Sequence, residues 1–272
     1  MGLVFCVIAV IANLALILRP EIPVSMFCGI SFNYDFIPRP STPYTAYIYL
    51  TISVLLCFMS VILQKAQNVK SVIIISAIIL AAGFSLGNFL DNLQFSDLLS
   101  PFNTLSFFFE VSAVSHVFSN ITLTGAFFIL SGAFMRIKSE NTVRKLTIIS
   151  SVSLTIYLSA AIIICLTSNN EFYLLGYTFI PSSVLFIILN ILAYKGKSGR
   201  KDFPMAVMLF IVTMIFSPFI SMAIIGERPW VIAKTALCNN ADYFIPLWFI
   251  GALSSTVLSY KGDLKNENPE SA

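Results

Sequence analysis

Residues 105–135 read LSFFFEVSAVSHVFSNITLTGAFFILSGAFM and form a long apolar segment in the middle of the chain. The segment is long enough to cross a bilayer, which requires about 20 predominantly apolar residues in an α-helix. It also contains an acid, Glu110, and the only histidine of the protein, His116. Ionisable groups inside a membrane are costly and usually face a bundle interior or a water-filled cavity. We therefore interpret the rest of the chain as a scaffold around this segment.

The composition of the whole chain is that of a membrane protein. The 272 residues are 57% hydrophobic and only 11% charged, and their mean hydropathy is +0.88. Soluble domains average about 25% charged residues. Because so few charges cannot cover a surface in water, we expect the lipid bilayer to be the main partner. The net charge of +3 gives no indication of a nucleic-acid partner.

Eight apolar segments are long enough, or nearly long enough, to cross a bilayer. We predict an all-α fold, a polytopic transmembrane helix bundle of about eight helices with no soluble domain. Residues 1–260 would form a single transmembrane helical domain, and residues 261–272 a short polar tail. The predicted helices lie near residues 2–18, 44–63, 71–90, 105–135, 146–166, 173–194, 203–225 and 241–260.

The first segment has two interpretations. Its length of about 17 residues is short for a span and long for the core of a signal peptide. However, Met1-Gly2-Leu3 carries no positive charge, Asn13 interrupts the apolar run, and no small-residue cleavage site follows. We expect a retained helix; cleavage would leave a seven-helix protein.

The basic residues alternate between the two sides of the predicted bundle. Twelve of the 16 lysines and arginines fall in the second, fourth and sixth connections between the predicted helices and in the tail. The other four fall in connections on the opposite side. Basic connections remain on the cytoplasmic side of membranes. The pattern predicts a plasma or inner membrane protein with both termini in the cytoplasm.

A polar stripe follows the central segment. Its members recur at every fourth residue: Ser112, His116, Asn120 and Thr124. Three neighbours widen it: Ser115, Ser119 and Thr122. This spacing places the residues on one slowly drifting helix face. The stripe either lines a cavity that opens outward or holds neighbouring helices together, and we favour helix contacts for the Ser and Thr members.

Further ionisable residues lie toward the same predicted outer side. Asp91, Asp242 and Lys234 join Glu110 and His116 there, which predicts an outward-facing polar pocket. The simpler alternatives are a solvated helix end for Asp91, a helix cap for Asp242 and an interfacial position for Glu110.

The five cysteines do not form a C-x-x-C motif. Cys28 and Cys238 fall in two outer connections, where they are either a disulfide or two free thiols. Cys6, Cys57 and Cys165 lie in apolar segments and suit packing. A single histidine excludes a multi-histidine zinc site, so we expect no metal and no cofactor.

Two weaker sequence features concern the packing of helices and the depth of residues in the membrane. Gly83 and Gly87 form a G-x-x-x-G pair, which allows another helix to approach closely. Trp248 suits the headgroup belt of a membrane.

Three functions are compatible with this pattern. The first is binding or transport of a small solute or lipid, with Glu110 and His116 as recognition or coupling groups. The second is a membrane-embedded enzyme acting at the outer leaflet with Ser112 or Ser115. The third is a non-catalytic subunit, receptor-like bundle or immunity protein with a protein partner. We favour a protein that is not an enzyme.

Overall fold

A computed structural model describes residues 1–20, 22–23, 26, 44–66, 68–97, 102–137, 140–167, 174–195, 201–216 and 244–267. This part of the chain forms eight α-helices and no β-strand, which confirms the predicted all-α helix bundle. The helices are α1 (Gly2–Leu18), α2 (Tyr44–Lys65), α3 (Val69–Asp97), α4 (Phe102–Met135), α5 (Glu140–Thr167), α6 (Leu174–Tyr194), α7 (Asp202–Ile211) and α8 (Ile245–Glu267).

The helix bounds follow the apolar segments but extend past several of them. The helix predicted to end near residue 90 continues to Asp97, and the one predicted from residue 146 begins at Glu140. α7 is followed by a π-helical turn, Val212–Phe216, and the remainder of that predicted segment lies outside the described residues. The extensions are polar, so apolarity alone did not indicate them.

Four stretches of these helices are long and apolar enough to cross a membrane: Tyr44–Lys65, Val69–Gly87, Val117–Met135 and Lys145–Ile163. Their exposed positions carry large apolar side chains such as Phe58, Ile78 and Ile163. This is the surface expected of helices in contact with lipid, which is as apolar as the side chains themselves. The α4 stretch differs because 72% of it is buried, against 22% of the α3 stretch. α4 is therefore a core helix, as expected for the segment that carries the polar stripe.

The chain divides into two compact units. Among the described residues, unit 1 contains α1, α2, α3 and α4 as far as Ile129. Unit 2 contains the end of α4 from Leu130, together with α5, α6, α7 and α8. That all the helices form one domain stays a prediction.

In unit 1, α1 packs antiparallel to α4. Near its start, the Cys6 thiol lies against Gly125, and near its end Leu16 belongs to a buried cluster with Val117 and Phe118. The face of α1 between these two contacts is buried as well. Gly125 has no side chain where α1 approaches α4 closely, which is the usual means of close helix packing in membranes.

The G-x-x-x-G pair of α3 lies against α2. A methyl group at Gly83 would overlap the Ile52 side chain, whereas one at Gly87 would meet Thr45 Cγ2 at 3.7 Å, an ordinary contact. The expected close approach therefore occurs at the first glycine only.

In unit 2, α8 is the central helix. Every residue from Gly251 to Ser259 is buried, and α8 contacts α5, α6 and α7. Gly251 lets the Leu154 side chain of α5 lie directly on the α8 backbone. A helix buried all round is typical of the interior of a bundle.

Substituting Gly125 tests the close contact between α1 and α4. A Cβ at this position would lie 2.5 Å from the Cys6 thiol and 3.1 Å from the Cys6 backbone nitrogen. Because the backbone cannot rotate away, we expect Gly125→Ala to lower the free energy of unfolding by about 1–3 kcal/mol. Among the described residues, Gly132 of the same helix has no such neighbour within 4 Å. Gly132→Ala should be neutral or stabilising by up to about 1 kcal/mol. Unfolding in mixed micelles measures the free energy of unfolding of each variant. Equal changes in the two variants would contradict a close contact between α1 and α4 at Gly125.

Candidate functional site

The structure places four predicted site residues, Glu110, Ser112, His116 and Asn120, on α4. The side chains of the first three lie outside the described part of the chain. Asn120 is half-buried, and its backbone carbonyl accepts a 2.8 Å hydrogen bond from the Thr124 hydroxyl. The outward-facing pocket therefore stays a prediction.

The other predicted residues lie farther along the chain. Asp91 is on α3, with its side chain outside the description, and Asp242 is outside the described residues. The proposed disulfide partners, Cys28 and Cys238, are outside them too. The acid positions and the disulfide stay predictions.

Two hydroxyl pairs join α2 to α4 inside unit 1. Thr45 and Ser115 are 3.2 Å apart, and Ser53 and Thr122 are 2.9 Å apart. All four side chains are buried. For Ser115 and Thr122, the neighbours of the predicted stripe, this geometry supports the interpretation as helix contacts. Such interhelical hydrogen bonds contribute about 0.6 kcal/mol on average within a membrane.

The second pair is also tied to its own helices. The Ser53 hydroxyl lies 2.6 Å from the Tyr49 carbonyl, and the Thr122 hydroxyl lies 3.2 Å from the Phe118 carbonyl. A hydroxyl has one proton and two lone pairs. One of the two hydroxyls therefore donates to the other across the interface. The second donates to the carbonyl four residues earlier in its own helix, so each hydroxyl proton has an acceptor.

Asn13 of α1 and Ser76 of α3 are buried polar residues of unit 1 that each have a side-chain oxygen without a described partner, and Asn13 carries the larger polar group. Its side chain is fully buried, and its amide nitrogen donates to the Ala9 carbonyl at 2.8 Å. Its carboxamide oxygen has no hydrogen-bond partner in the described part of the chain. An unsatisfied buried acceptor costs about 1–3 kcal/mol. The oxygen is therefore a position where a donor from a ligand or a water would be strongly favoured.

The position of Asn13 follows from the contacts on either side of it. It shares the buried face of α1 with Cys6 and Leu16. Those two residues contact α4 at Gly125 and around Val117. The same face also packs against α2, since Leu16 shares its buried cluster with Ala46. Asn13 therefore lies on the buried face of α1 that packs against both α2 and α4. The sequence had shown it only as an interruption of an apolar run.

Unit 2 contains a second buried polar network, which is formed by neutral residues. The Asn190 amide of α6 donates to the Ser150 hydroxyl of α5 at 2.6 Å. Ser150 in turn donates to the Gly251 carbonyl of α8 at 2.9 Å. Three helices are thus joined by two bonds, while the Asn190 carboxamide oxygen has no described partner. In the sequence, the only feature that indicates this network is an asparagine within an apolar helix.

The prediction that Trp248 lies in the headgroup belt is wrong. Trp248 is fully buried in unit 2, and its indole nitrogen donates to the Ser182 hydroxyl at 3.1 Å. Its ring is stacked on Phe210 at 5.5 Å and meets Phe179 edge-on at 4.8 Å. Burial is favourable because the N–H has an acceptor and the aromatic neighbours fill the space.

The described residues contain no cluster of three or more His, Cys, Asp or Glu side chains that could hold a metal ion. Comparison of the chain with protein-family models, curated proteins and solved structures finds no match. The chemistry of the site therefore has to be inferred from its own residues.

Substituting Ser150 tests the network of unit 2. Ser150→Ala removes the acceptor of the Asn190 amide and the donor to Gly251, so we expect the free energy of unfolding to fall by about 1–3 kcal/mol. The adjacent Ser151 is exposed, and Ser151→Ala should change it by less than about 0.5 kcal/mol. Denaturant titration of the purified protein provides the comparison. A similar loss of unfolding free energy in both variants, or no loss in either, would contradict the network.

Proposed function

We propose that the chain is a multi-pass integral membrane protein that binds or transports a small solute or a lipid. Its site would lie on the surface of α4 that faces α1 in unit 1. The supporting observation is the buried carboxamide oxygen of Asn13, which lacks a described partner and lies on the face of α1 that packs against α2 and α4. In apolar surroundings such an acceptor favours a hydrogen-bond donor on the ligand, such as a hydroxyl or an amine.

The ionisable residues of the same helix supply the second part of the proposal. Glu110 and His116 belong to α4, and His116 lies one residue before Val117, which packs in the same buried cluster as Leu16 of α1. An imidazole changes its charge between about pH 5 and pH 8, and a carboxyl in apolar surroundings is readily protonated. These groups would select the ligand charge or couple its movement to protons. The site would open to the non-cytoplasmic side, with both termini in the cytoplasm.

A non-catalytic membrane subunit is the second candidate. Ser115 and Thr122 are engaged in bonds to α2, as expected if the polar stripe serves only to hold helices together. In that case the stripe would recognise no ligand, and a protein partner would account for the function.

Asn13→Leu distinguishes the two candidates. The thermal midpoint of the purified protein would be measured in neutral detergent against sugars, amino acids, primary amines and phospholipids. A ligand of the native state at one hundred times its Kd adds about 2.7 kcal/mol of stability. We expect at least one class of compound to raise the midpoint of the natural protein, and Asn13→Leu, Glu110→Gln and His116→Gln to abolish that rise.

Asn190→Leu is the matched control, because Asn190 is also a buried asparagine with an unpaired oxygen but belongs to unit 2. It should retain the response to the ligand. A compound that stabilises all variants equally, or the absence of any response together with a stoichiometric protein partner, would contradict the transport or binding proposal. Uptake by reconstituted vesicles then separates transport from binding alone.

A further inference from the structure

Five helices of unit 2 meet at one end of that unit. A buried cluster of Leu146, Val257 and Leu258 joins the start of α5 to α8. Phe134, Met135 and Ala193 pack on it and add the ends of α4 and α6. The Phe203 ring at the start of α7 meets Tyr260 of α8 at 5.2 Å. Helix ends that are far apart in the sequence thus surround the same end of α8.

Four exposed cations adjoin these contacts, and we name them the basic end of unit 2: Arg136, Lys145, Lys195 and Lys201. Each lies one or two residues from a side chain of the cluster or of the ring pair. The acids beside them are Asp202, which is half-buried, and Glu140 at the start of α5, whose side chain lies outside the described part of the chain. The same connections contain four further basic residues in the sequence: Lys138, Arg144, Lys197 and Arg200. Positive charge is therefore concentrated around one end of the unit.

Lys261 has a different role from these four. Its amine donates to the Ile137 carbonyl at 2.7 Å, which joins α8 to the residues that follow α4. Burial lowers the pKa of this amine from its ordinary value. Lys261 is therefore a structural contact beneath the basic end.

The depth of this end in the membrane is indicated by Tyr194. It is 80% exposed and directly precedes Lys195, at the end of the apolar helix α6. Exposed tyrosines next to lysines at helix ends are typical of the level of the lipid headgroups. Just above the apolar helix surfaces, the groups that a cation meets are phosphates.

We propose that the basic end of unit 2 binds the phosphate headgroups of anionic phospholipids. The long side chains of the three lysines extend along apolar helix surfaces to reach the phosphates, and Arg136 adds to the positive charge of the same end. The acyl chains would lie on the exposed apolar faces of α5 and α6, which carry Ile149 and Ile188. The proposal does not depend on the solute site of unit 1.

The test uses the full chain in neutral detergent, titrated with mixed micelles of phosphatidylglycerol or phosphatidylcholine and observed by native mass spectrometry. Each basic residue near an anionic lipid surface contributes about fivefold to binding. We expect the double variant Lys195→Gln/Lys201→Gln to bind phosphatidylglycerol about 25-fold more weakly and phosphatidylcholine unchanged. Thermal midpoints confirm that the variant is folded, since both lysines are exposed.

The matched control is Lys65→Gln/Lys70→Gln, which removes two exposed lysines from the connection between α2 and α3 in unit 1. It should weaken phosphatidylglycerol binding less than threefold. Equal losses in the two variants would overturn the proposal, because they would indicate attraction by overall charge. Binding of sodium phosphate or polyglutamate as tight as that of phosphatidylglycerol would also overturn it, in favour of a free anion or an acidic protein.

Discussion

Helices in a bilayer gain little from the hydrophobic effect when they associate, because lipid tails are as apolar as their side chains. Contacts that lipid cannot supply, namely close backbone approach and hydrogen bonds, must therefore determine which helices are neighbours. In unit 1 these contacts are the Gly125 position and the hydroxyl pairs Thr45–Ser115 and Ser53–Thr122. In unit 2 they are the bonds that Ser150 makes to α6 and α8.

The same constraint identifies the polar atoms that need another explanation. Most buried hydroxyls of the described residues donate to a carbonyl one turn earlier or to a neighbouring helix. Three buried oxygens lack a described partner, those of Asn13, Ser76 and Asn190. Asn13 differs from the other two because it lies on α1 between Cys6 and Leu16, which contact the part of α4 that carries the polar stripe. An unpaired buried oxygen close to the polar stripe of α4 supports a ligand site in unit 1, whereas the presence of polar residues alone would not.

The sequence predicted the helices well, because about 20 apolar residues in succession have few alternatives to a membrane helix. Eight helices were predicted and eight are described. It could not predict neighbours: the burial of Asn13 and the contact of Ser150 with Asn190 depend on tertiary packing. Trp248 was misplaced for the same reason, since an aromatic residue near a helix end suits either an interface or a core. The network of unit 2 consists of neutral residues, so the positions of ionisable residues in the sequence did not indicate it.

A double-mutant cycle between Ser53 and Thr122, measured in a bilayer or bicelle, tests most directly whether polar pairs hold these helices together. Ser53→Ala and Thr122→Val each remove one hydroxyl with little change in volume. The account predicts a coupling free energy of about 0.6–1.7 kcal/mol between the two substitutions. Effects that add to within about 0.3 kcal/mol would contradict it, because they would show that the 2.9 Å contact contributes nothing to the association of α2 with α4.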